Sequence, residues 1–201
     1  MIQTVIFDLG GVIVPLDFPQ LYARISERCG VPVSDIPTRI GATGLVPMLE
    51  TGQVSAEEFT TRISAELGLT LAAGEFPALW SSLFPRHTLI PESLLLALKG
   101  RYRLLLLSNT NSLHFEMIRD NYPLIGHFDD YILSYKVGAM KPSPLIYEAA
   151  ISKAGCHPSE CFFTDDIEPY VAGARQAGID AVQFKSYDQI VAELASRGIA
   201  V

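Results

Sequence analysis

Carboxylate side chains follow two short apolar segments of the sequence. Asp8 ends the first segment and precedes Gly10 and Gly11, and the adjacent Asp165 and Asp166 end the other. Neighbouring carboxylates repel one another unless a cation or hydrogen-bond donors offset their charge, and Mg²⁺ prefers carboxylates combined with water and phosphate oxygens. These residues therefore predict metal-assisted chemistry on an anionic substrate, although an aspartate before two glycines also suits a tight turn.

A hydroxyl, an amide and a lysine could complete such a site. Ser108 and Asn109 end another apolar segment, where the free N–H groups of a strand-to-helix turn form a cradle for phosphate. Capping of the next helix by Thr110 or Asn111 is the alternative explanation of this segment. Lys141 lies between a glycine and a proline, where it is either a solvated lysine or a cation that neutralises a bound anion.

Short apolar runs that would position these side chains alternate with helical patterns. The predicted strands cover residues 2–7, 103–107, 131–134, 161–164 and 181–184. The predicted helices cover residues 91–98, 113–121, 144–154, 171–177 and 187–197. This alternation predicts an α/β fold with a doubly wound parallel sheet. Because ligands of such sheets bind beyond the carboxyl ends of the strands, the candidate groups are expected to meet there.

About 80 residues separate the first two predicted strands, far more than one crossover helix needs. Helical periodicity covers residues 18–29, 55–67 and 74–83, and Ser55 followed by Glu58 is typical of a helix start. We therefore expect residues 1–15 and 88–201 to form the α/β core domain. Residues 16–87 are expected to form an inserted helical cap domain.

The bulk composition limits the partners of the protein. Its 201 residues are 49% hydrophobic and 18% charged, with a formal net charge of −7, so a packed core is expected and nucleic acid is a poor partner. No apolar stretch approaches the ~20 residues of a membrane span, and the N-terminus lacks the pattern of a signal peptide. The three cysteines are expected to be reduced rather than paired in disulfides, which is typical of a cytoplasmic protein. The sequence carries no signal for its oligomeric state.

The order of these groups along the chain resembles the haloacid dehalogenase superfamily, most of whose members are phosphatases. The resemblance rests on Phe7-Asp8-Leu9-Gly10-Gly11-Val12, Ser108-Asn109, Lys141-Pro142 and Asp165-Asp166. The long gap after the first strand corresponds to the place where this superfamily inserts a small helical cap. Residues 108–111 with His114, and residues 50–59, are most similar to bacterial sugar-phosphate phosphatases, notably those acting on α-glucose 1-phosphate.

The resemblance implies a role for each motif. Asp8 would be the nucleophile that forms an aspartyl-phosphate, which water then hydrolyses. Mg²⁺ would bind Asp8, the backbone carbonyl of Gly10, and Asp166, with Asp165 as a further ligand or a support for one. The remaining groups would hold the phosphoryl group and balance its charge; they are Ser108, Asn109 and Lys141. The substrate would be a small phosphorylated metabolite.

One position departs from the family pattern. Phosphatases of this superfamily usually carry a second aspartate two residues after the nucleophile, where it acts as general acid and then as base, but this chain has Gly10 there. The loss could cost ~10²–10⁴ in rate if nothing replaces it. Candidate replacements are His114, Asp17 or a residue of the cap, while a surface or capping role is the alternative for each.

Three other functions are alternatives to phosphate hydrolysis. A 2-haloacid dehalogenase would also lack the second aspartate, but it needs no metal and has no use for the pair Asp165 and Asp166. A non-catalytic phosphate-binding or metabolite-binding protein would explain Gly10 but not the retention of every other motif. A phosphonate hydrolase would need a cap lysine, and no lysine precedes Lys99.

Overall fold

Five parallel strands form one sheet in the computed structural model, which describes residues 1–200. The strands are β1 (Thr4–Phe7), β2 (Arg103–Ser108), β3 (Asp130–Leu133), β4 (Cys161–Asp165) and β5 (Asp180–Gln183). Their order across the sheet is β3-β2-β1-β4-β5. The predicted doubly wound parallel α/β sheet is therefore confirmed, with the first strand at its centre.

Alternate residues of each central strand point to opposite faces of the sheet, and both faces are covered. In β1, Val5 and Phe7 join one hydrophobic cluster with residues of β2, β4 and the helices on that side. Ile6 joins a second cluster on the other side. All three side chains have 0% exposure, which explains why the strand sequences are continuously apolar rather than alternating.

Six helices and two 3₁₀ turns belong to the part of the chain that carries the sheet. The helices are α6 (Glu92–Leu98), α7 (Ser112–Asn121), α8 (Ser134–Val137), α9 (Pro144–Ala154), α10 (Glu168–Gln176) and α11 (Tyr187–Ser196). The 3₁₀ turns cover Pro123–His127 and Pro158–Glu160. Within residues 1–200, no helix is both long enough and apolar enough to cross a membrane.

Two boundaries differ from the sequence prediction for local reasons. Ser134 was expected to end a strand, but its hydroxyl donates to Thr110 O and accepts from Thr110 N, both at 2.9 Å, and it begins α8. Helix α10 begins at Glu168 instead of residue 171, because Pro169 lies in the first turn, where no N–H is needed for the helix.

The segment between β1 and α6 is helical and has its own apolar cluster. It contains α1 (Phe18–Cys29), α2 (Ile36–Ala42), α3 (Leu45–Glu50), α4 (Ala56–Leu67), α5 (Glu75–Trp80) and a 3₁₀ turn (Ser81–Leu83). The sequence did not predict α2 and α3, because Pro37 and Pro47 read as breaks. Both prolines lie in a first helical turn, which tolerates them. The domain boundaries at residues 16 and 87 stay a prediction.

A close approach at Gly52 joins this helical segment to the sheet-bearing part. Gly52 follows α3 with φ +69°, and a Cβ at this position would overlap the backbone oxygen of Tyr135 in α8. Only glycine combines a positive φ with so close a backbone neighbour. The end of α3 is thereby packed against the chain just before the loop that carries Lys141.

Substitution of Gly52 by alanine is expected to destabilise the protein more than the same change at Gly68. Both glycines have φ +69°, but a Cβ at Gly68 meets nothing within 4 Å. Gly68→Ala should cost about 1–2 kcal/mol for its backbone conformation. Gly52→Ala should lose about 1–3 kcal/mol more because of the overlap, as measured by urea denaturation. Equal losses for the two variants would contradict the close approach.

Candidate active site

Three adjacent strands bring the predicted groups to one edge of the sheet. Phe7 of β1 pairs with Leu106 of β2 and with Thr164 of β4. Because the strands are parallel, the next residue, Asp8, lies level with Leu107 and with the last residue of β4. The backbone N–H of Asp8 extends the ladder by donating to Thr164 O at 3.0 Å. The carboxylate at the end of β1 is therefore fixed at the carboxyl edge of the sheet.

Lys141 crosses to this edge and is bonded to both neighbouring carboxylates. Its Nζ donates to Asp8 Oδ1 at 2.7 Å, to Asp165 Oδ2 at 2.5 Å and to Leu107 O at 3.1 Å. Lys141 is 3% exposed, Asp8 6% and Asp165 0%. Burial opposes the charge of this ammonium, but the two carboxylates outweigh it and raise the pKa of Lys141. The alternative of a solvated lysine is wrong.

The Asn109 side chain holds the backbone of Lys141 through two hydrogen bonds. Asn109 Oδ1 accepts from Lys141 N at 2.7 Å, and Asn109 Nδ2 donates to Lys141 O at 3.1 Å. Ser108, which ends β2, is buried and lines the same cavity as Asp8. The structure thus brings Asp8, Ser108, Asn109 and Lys141 together, while their catalytic roles stay predictions.

Asp165 and Asp166 are adjacent in sequence but have different surroundings. Both carboxylate oxygens of Asp165 accept hydrogen bonds, Oδ1 from Ile167 N at 2.9 Å and Oδ2 from Lys141 Nζ. Asp166 Oδ1 is buried and has no hydrogen-bond partner among residues 1–200. A Cβ at Gly11, whose φ is +81°, would overlap the Asp166 carboxylate. The glycine after Gly10 is therefore needed to make room for that group.

The carboxylates of this edge fit a divalent cation. Oxygens of Asp8, Asp165 and Asp166 lie within 4.8 Å of one another, and Lys141 is the only cation among the residues that bond to them within the described chain. Three carboxylates and one ammonium leave two negative charges in excess. Burial raises the pKa of Asp8 to about 7 despite the opposing Lys141 charge, as expected for a site that lacks compensating positive charge.

His114 and Asp17, the two predicted acid–base candidates outside the strand ends, form hydrogen bonds with other protein groups. His114 Nδ1 lies 3.2 Å from Asn111 Nδ2, and His114 Nε2 lies 3.3 Å from Trp80 O, so the ring accepts from the amide and donates to the carbonyl. Burial lowers the pKa of His114 to about 4. Asp17 caps α1 by accepting from Gln20 N at 2.9 Å and does not line the cavity. Asp17 therefore has the capping role that was its alternative. His114 is buried and lines the cavity, so it has neither a surface nor a capping role, and its acid–base role stays a prediction.

A cavity of about 380 Å³ lies between the strand ends and the helical segment. Its floor includes Asp8, Ser108, Asn109 and Lys141, and its walls are mainly apolar and aromatic; the walls include Leu16, Phe18, Leu21, Tyr22, Ile40, Trp80, Leu83, Phe84, Ile167 and Tyr170. Glu50 also lines the cavity; no role for it was predicted, because no sequence pattern indicated the short helix that ends there.

The sequence and structure are similar to those of known hydrolases. The sequence profile of the haloacid dehalogenase-like hydrolases matches residues 2–178. A D-ribitol-5-phosphate phosphatase from Bacteroides thetaiotaomicron is 30% identical over 192 residues, which are 91% of this chain and 92% of the relative. The name of this relative does not include α-glucose 1-phosphate, so that finer resemblance stays a prediction.

Two solved structures share both layers of the fold. A HAD-family enzyme from Bacteroides thetaiotaomicron, in complex with magnesium and inorganic phosphate, has a TM-score of 0.82 at 29% identity and covers 92% of this chain and 96% of its own. A HAD-like family hydrolase from Porphyromonas gingivalis has a TM-score of 0.84 at 26% identity and covers 100% of both chains. The helical segment is therefore part of a shared architecture.

Removal of the Lys141 charge is expected to destabilise the metal-free protein strongly. Lys141→Met leaves two buried carboxylates without their cation, which should cost about 3–5 kcal/mol of unfolding free energy in EDTA. Lys153→Met is the control, because Lys153 forms a 2.8 Å ion pair with Asp130 on the surface, and exposed pairs contribute at most about 1 kcal/mol. Similar losses of unfolding free energy for the two variants in urea denaturation would show that the buried ion contact stabilises the protein no more than the surface ion pair does.

The free energy of unfolding should depend on pH partly because His114 is buried in its neutral form. Its pKa is lowered from 6.5 to about 4 on folding. Between these two pH values, His114 is protonated in the unfolded chain but not in the folded protein. The sign is that stability falls as the pH falls from about 7 to 4, by up to about 3 kcal/mol from this group. His114→Gln should remove that part of the slope, whereas His87→Gln, on the surface, should retain it.

Proposed function

Because the chain belongs to the haloacid dehalogenase-like hydrolases, we propose that it is a magnesium-dependent phosphatase that hydrolyses a sugar or polyol monophosphate through an aspartyl-phosphate on Asp8. The observation that carries this proposal is the buried contact between Lys141 and Asp8 at the edge where Ser108 also lies. It combines a nucleophile, a cation and a hydroxyl at the floor of one enclosed cavity. Phosphoryl transfer requires mainly such positioning and charge balance.

The reaction would begin with a phosphate group at the floor of the cavity. The Asp8 carboxylate attacks phosphorus from its fixed position after β1, while Lys141 keeps that carboxylate oriented and offsets the charge of the phosphoryl oxygens. Ser108 offers its hydroxyl at the end of β2, and Asn109 fixes the Lys141 backbone through two hydrogen bonds. Pre-oriented donors of this kind favour the transition state over the ground state.

Magnesium suits the residues present. Asp8 and Asp166 would hold it with the backbone carbonyl of Gly10, and Asp165 would support the site from its bond to Lys141. Asp166 Oδ1 has no hydrogen-bond partner in residues 1–200, and the excess negative charge of the site favours binding of a divalent cation. When bound, the ion screens the charge between the nucleophile and the phosphate. The magnesium and phosphate complex of the Bacteroides thetaiotaomicron enzyme supports this choice.

The cavity favours a substrate with one phosphate group and an uncharged remainder. Its volume of about 380 Å³ suits a small metabolite. Apart from Lys141, its lining includes no lysine and no arginine among residues 1–200, and Glu50 adds a carboxylate. A second phosphate or a carboxylate on the substrate would therefore meet no counter-charge. The D-ribitol-5-phosphate phosphatase relative supports a polyol or sugar phosphate.

A metabolite screen with and without metal tests this function. With Mg²⁺, the protein is expected to release phosphate from ribitol 5-phosphate or α-glucose 1-phosphate with a kcat/KM at least ~10-fold above that for fructose 1,6-bisphosphate, since unpaired charge is costly to bury. EDTA should abolish turnover. Asp8→Asn should lower kcat by at least about 10³-fold, while Asp120→Asn, on the surface at the far end of α7, should retain wild-type turnover.

Each part of the proposal has its own contrary outcome. Phosphate binding without turnover of any ester would favour a non-catalytic binding protein. Turnover in EDTA would exclude the metal role, and preference for the bisphosphate would exclude the substrate class. Efficient turnover by Asp8→Asn would exclude the aspartyl-phosphate.

A further inference from the structure

The position that lacks an acid in this chain is crowded by a neighbouring side chain. A Cβ built on Gly10 would lie 3.2 Å from Leu16 Cδ1 and 3.3 Å from Leu16 Cδ2. The Leu16 side chain therefore occupies the direction in which an aspartate at position 10 would extend. A proton donor for the leaving group must come from another element of the structure.

The cavity offers few titratable groups for this task. Asp8 and Lys141 are bonded to each other at its floor, and the Nε2–H of His114 is directed at Trp80 O. Tyr22 and Tyr170 are the phenols of the lining, and burial raises the pKa of Tyr22. The one remaining carboxyl group in the lining is that of Glu50.

Glu50 is the last residue of α3 and belongs to the wall opposite the strand ends. It has no ion pair and no hydrogen-bond partner among residues 1–200, so its carboxyl group is free to meet a ligand. Burial raises the pKa of Glu50 to about 7. A carboxyl group in these surroundings holds a proton near neutral pH and can still release it.

We propose that Glu50 is the general acid and base of the reaction, replacing the aspartate that Gly10 omits. This assignment rests on the proposed phosphatase function. It is carried by the shared cavity of Asp8 and Glu50, by the absence, within residues 1–200, of a partner for the Glu50 carboxyl group, and by the lack of any side chain at Gly10.

The proton and electron balance of both half-reactions is simple. In the first, an Asp8 oxygen forms a bond to phosphorus, the bond from phosphorus to the ester oxygen breaks, and that oxygen keeps the electron pair and takes the Glu50 proton. In the second, water attacks phosphorus and gives one proton to the Glu50 carboxylate. The Asp8–phosphorus bond breaks with its electron pair returning to Asp8, and phosphate leaves.

Charged groups on the neighbouring helices leave Glu50 uncompensated. Helix α3 packs against α2, α4 and α8. The titratable side chains of those helices are Arg39, Glu57, Glu58, Arg62, Glu66, Tyr135 and Lys136. None of them forms an ion pair or a hydrogen bond with Glu50. Its protonation is therefore set by burial and by the ligand.

A comparison of leaving groups tests the assignment directly. Ribitol 5-phosphate releases an alkoxide that needs a proton, whereas p-nitrophenyl phosphate releases a phenolate that is stable without one. Glu50→Gln is expected to lower kcat/KM for ribitol 5-phosphate by about 10²–10⁴-fold and that for p-nitrophenyl phosphate by only a few-fold. The loss of wild-type activity on the alkyl ester above pH ~7 should also disappear, since Gln does not titrate.

Control variants separate this role from a structural one. Glu57→Gln changes an exposed cap glutamate and should match the wild type on both esters. Glu50→Ala provides a second variant, with folding checked by thermal denaturation. Equal losses on the two esters, or no loss on the alkyl ester, would overturn the assignment. Wild-type protein with no turnover of either ester or of α-glucose 1-phosphate would instead overturn the proposed phosphatase function, on which the assignment rests.

Discussion

The ion contact of Lys141 with Asp8 and Asp165 is the constraint on which the rest of the structure depends. Three groups that are at most 6% exposed must meet within hydrogen-bonding distance, because a buried charge without a partner costs several kcal/mol. The parallel register of β1 with β4 sets the distance between the two carboxylates. The Asn109 side chain then fixes the Lys141 backbone. Sheet order, register and loop path are thus all tied to one ammonium group.

That contact also gives the two adjacent aspartates, Asp165 and Asp166, different surroundings. Asp165 is held on both oxygens, by Lys141 and by the backbone N–H of Ile167, so neither oxygen is without a partner. Within residues 1–200, one oxygen of Asp166 has no partner, and the space for its carboxylate exists only because residue 11 is a glycine. The negative charge that Lys141 does not balance is therefore concentrated beside Asp8, the proposed nucleophile.

Much of the sheet and of the polar floor could be predicted because they depend on short-range patterns. Continuous apolar runs identified all five strands to within a few residues, and the carboxyl-end rule placed Asp8, Ser108 and Asp165 together. The upper wall of the cavity could not be predicted in this way. Helices α2 and α3 carry prolines in their first turns, which suggest breaks in the sequence, and the position of Glu50 depends on packing between distant segments.

An acid on the helical segment would change how specificity is achieved. An aspartate at position 10 would belong to the same loop as the nucleophile, whereas Glu50 is held by the packing of α3 against α8. The Gly52 backbone, two residues from Glu50, meets the Tyr135 carbonyl at that contact. Proton donation would then require the helical segment to be seated on the sheet-bearing part. The same walls that select an uncharged substrate would thereby also position the proton that its leaving group needs.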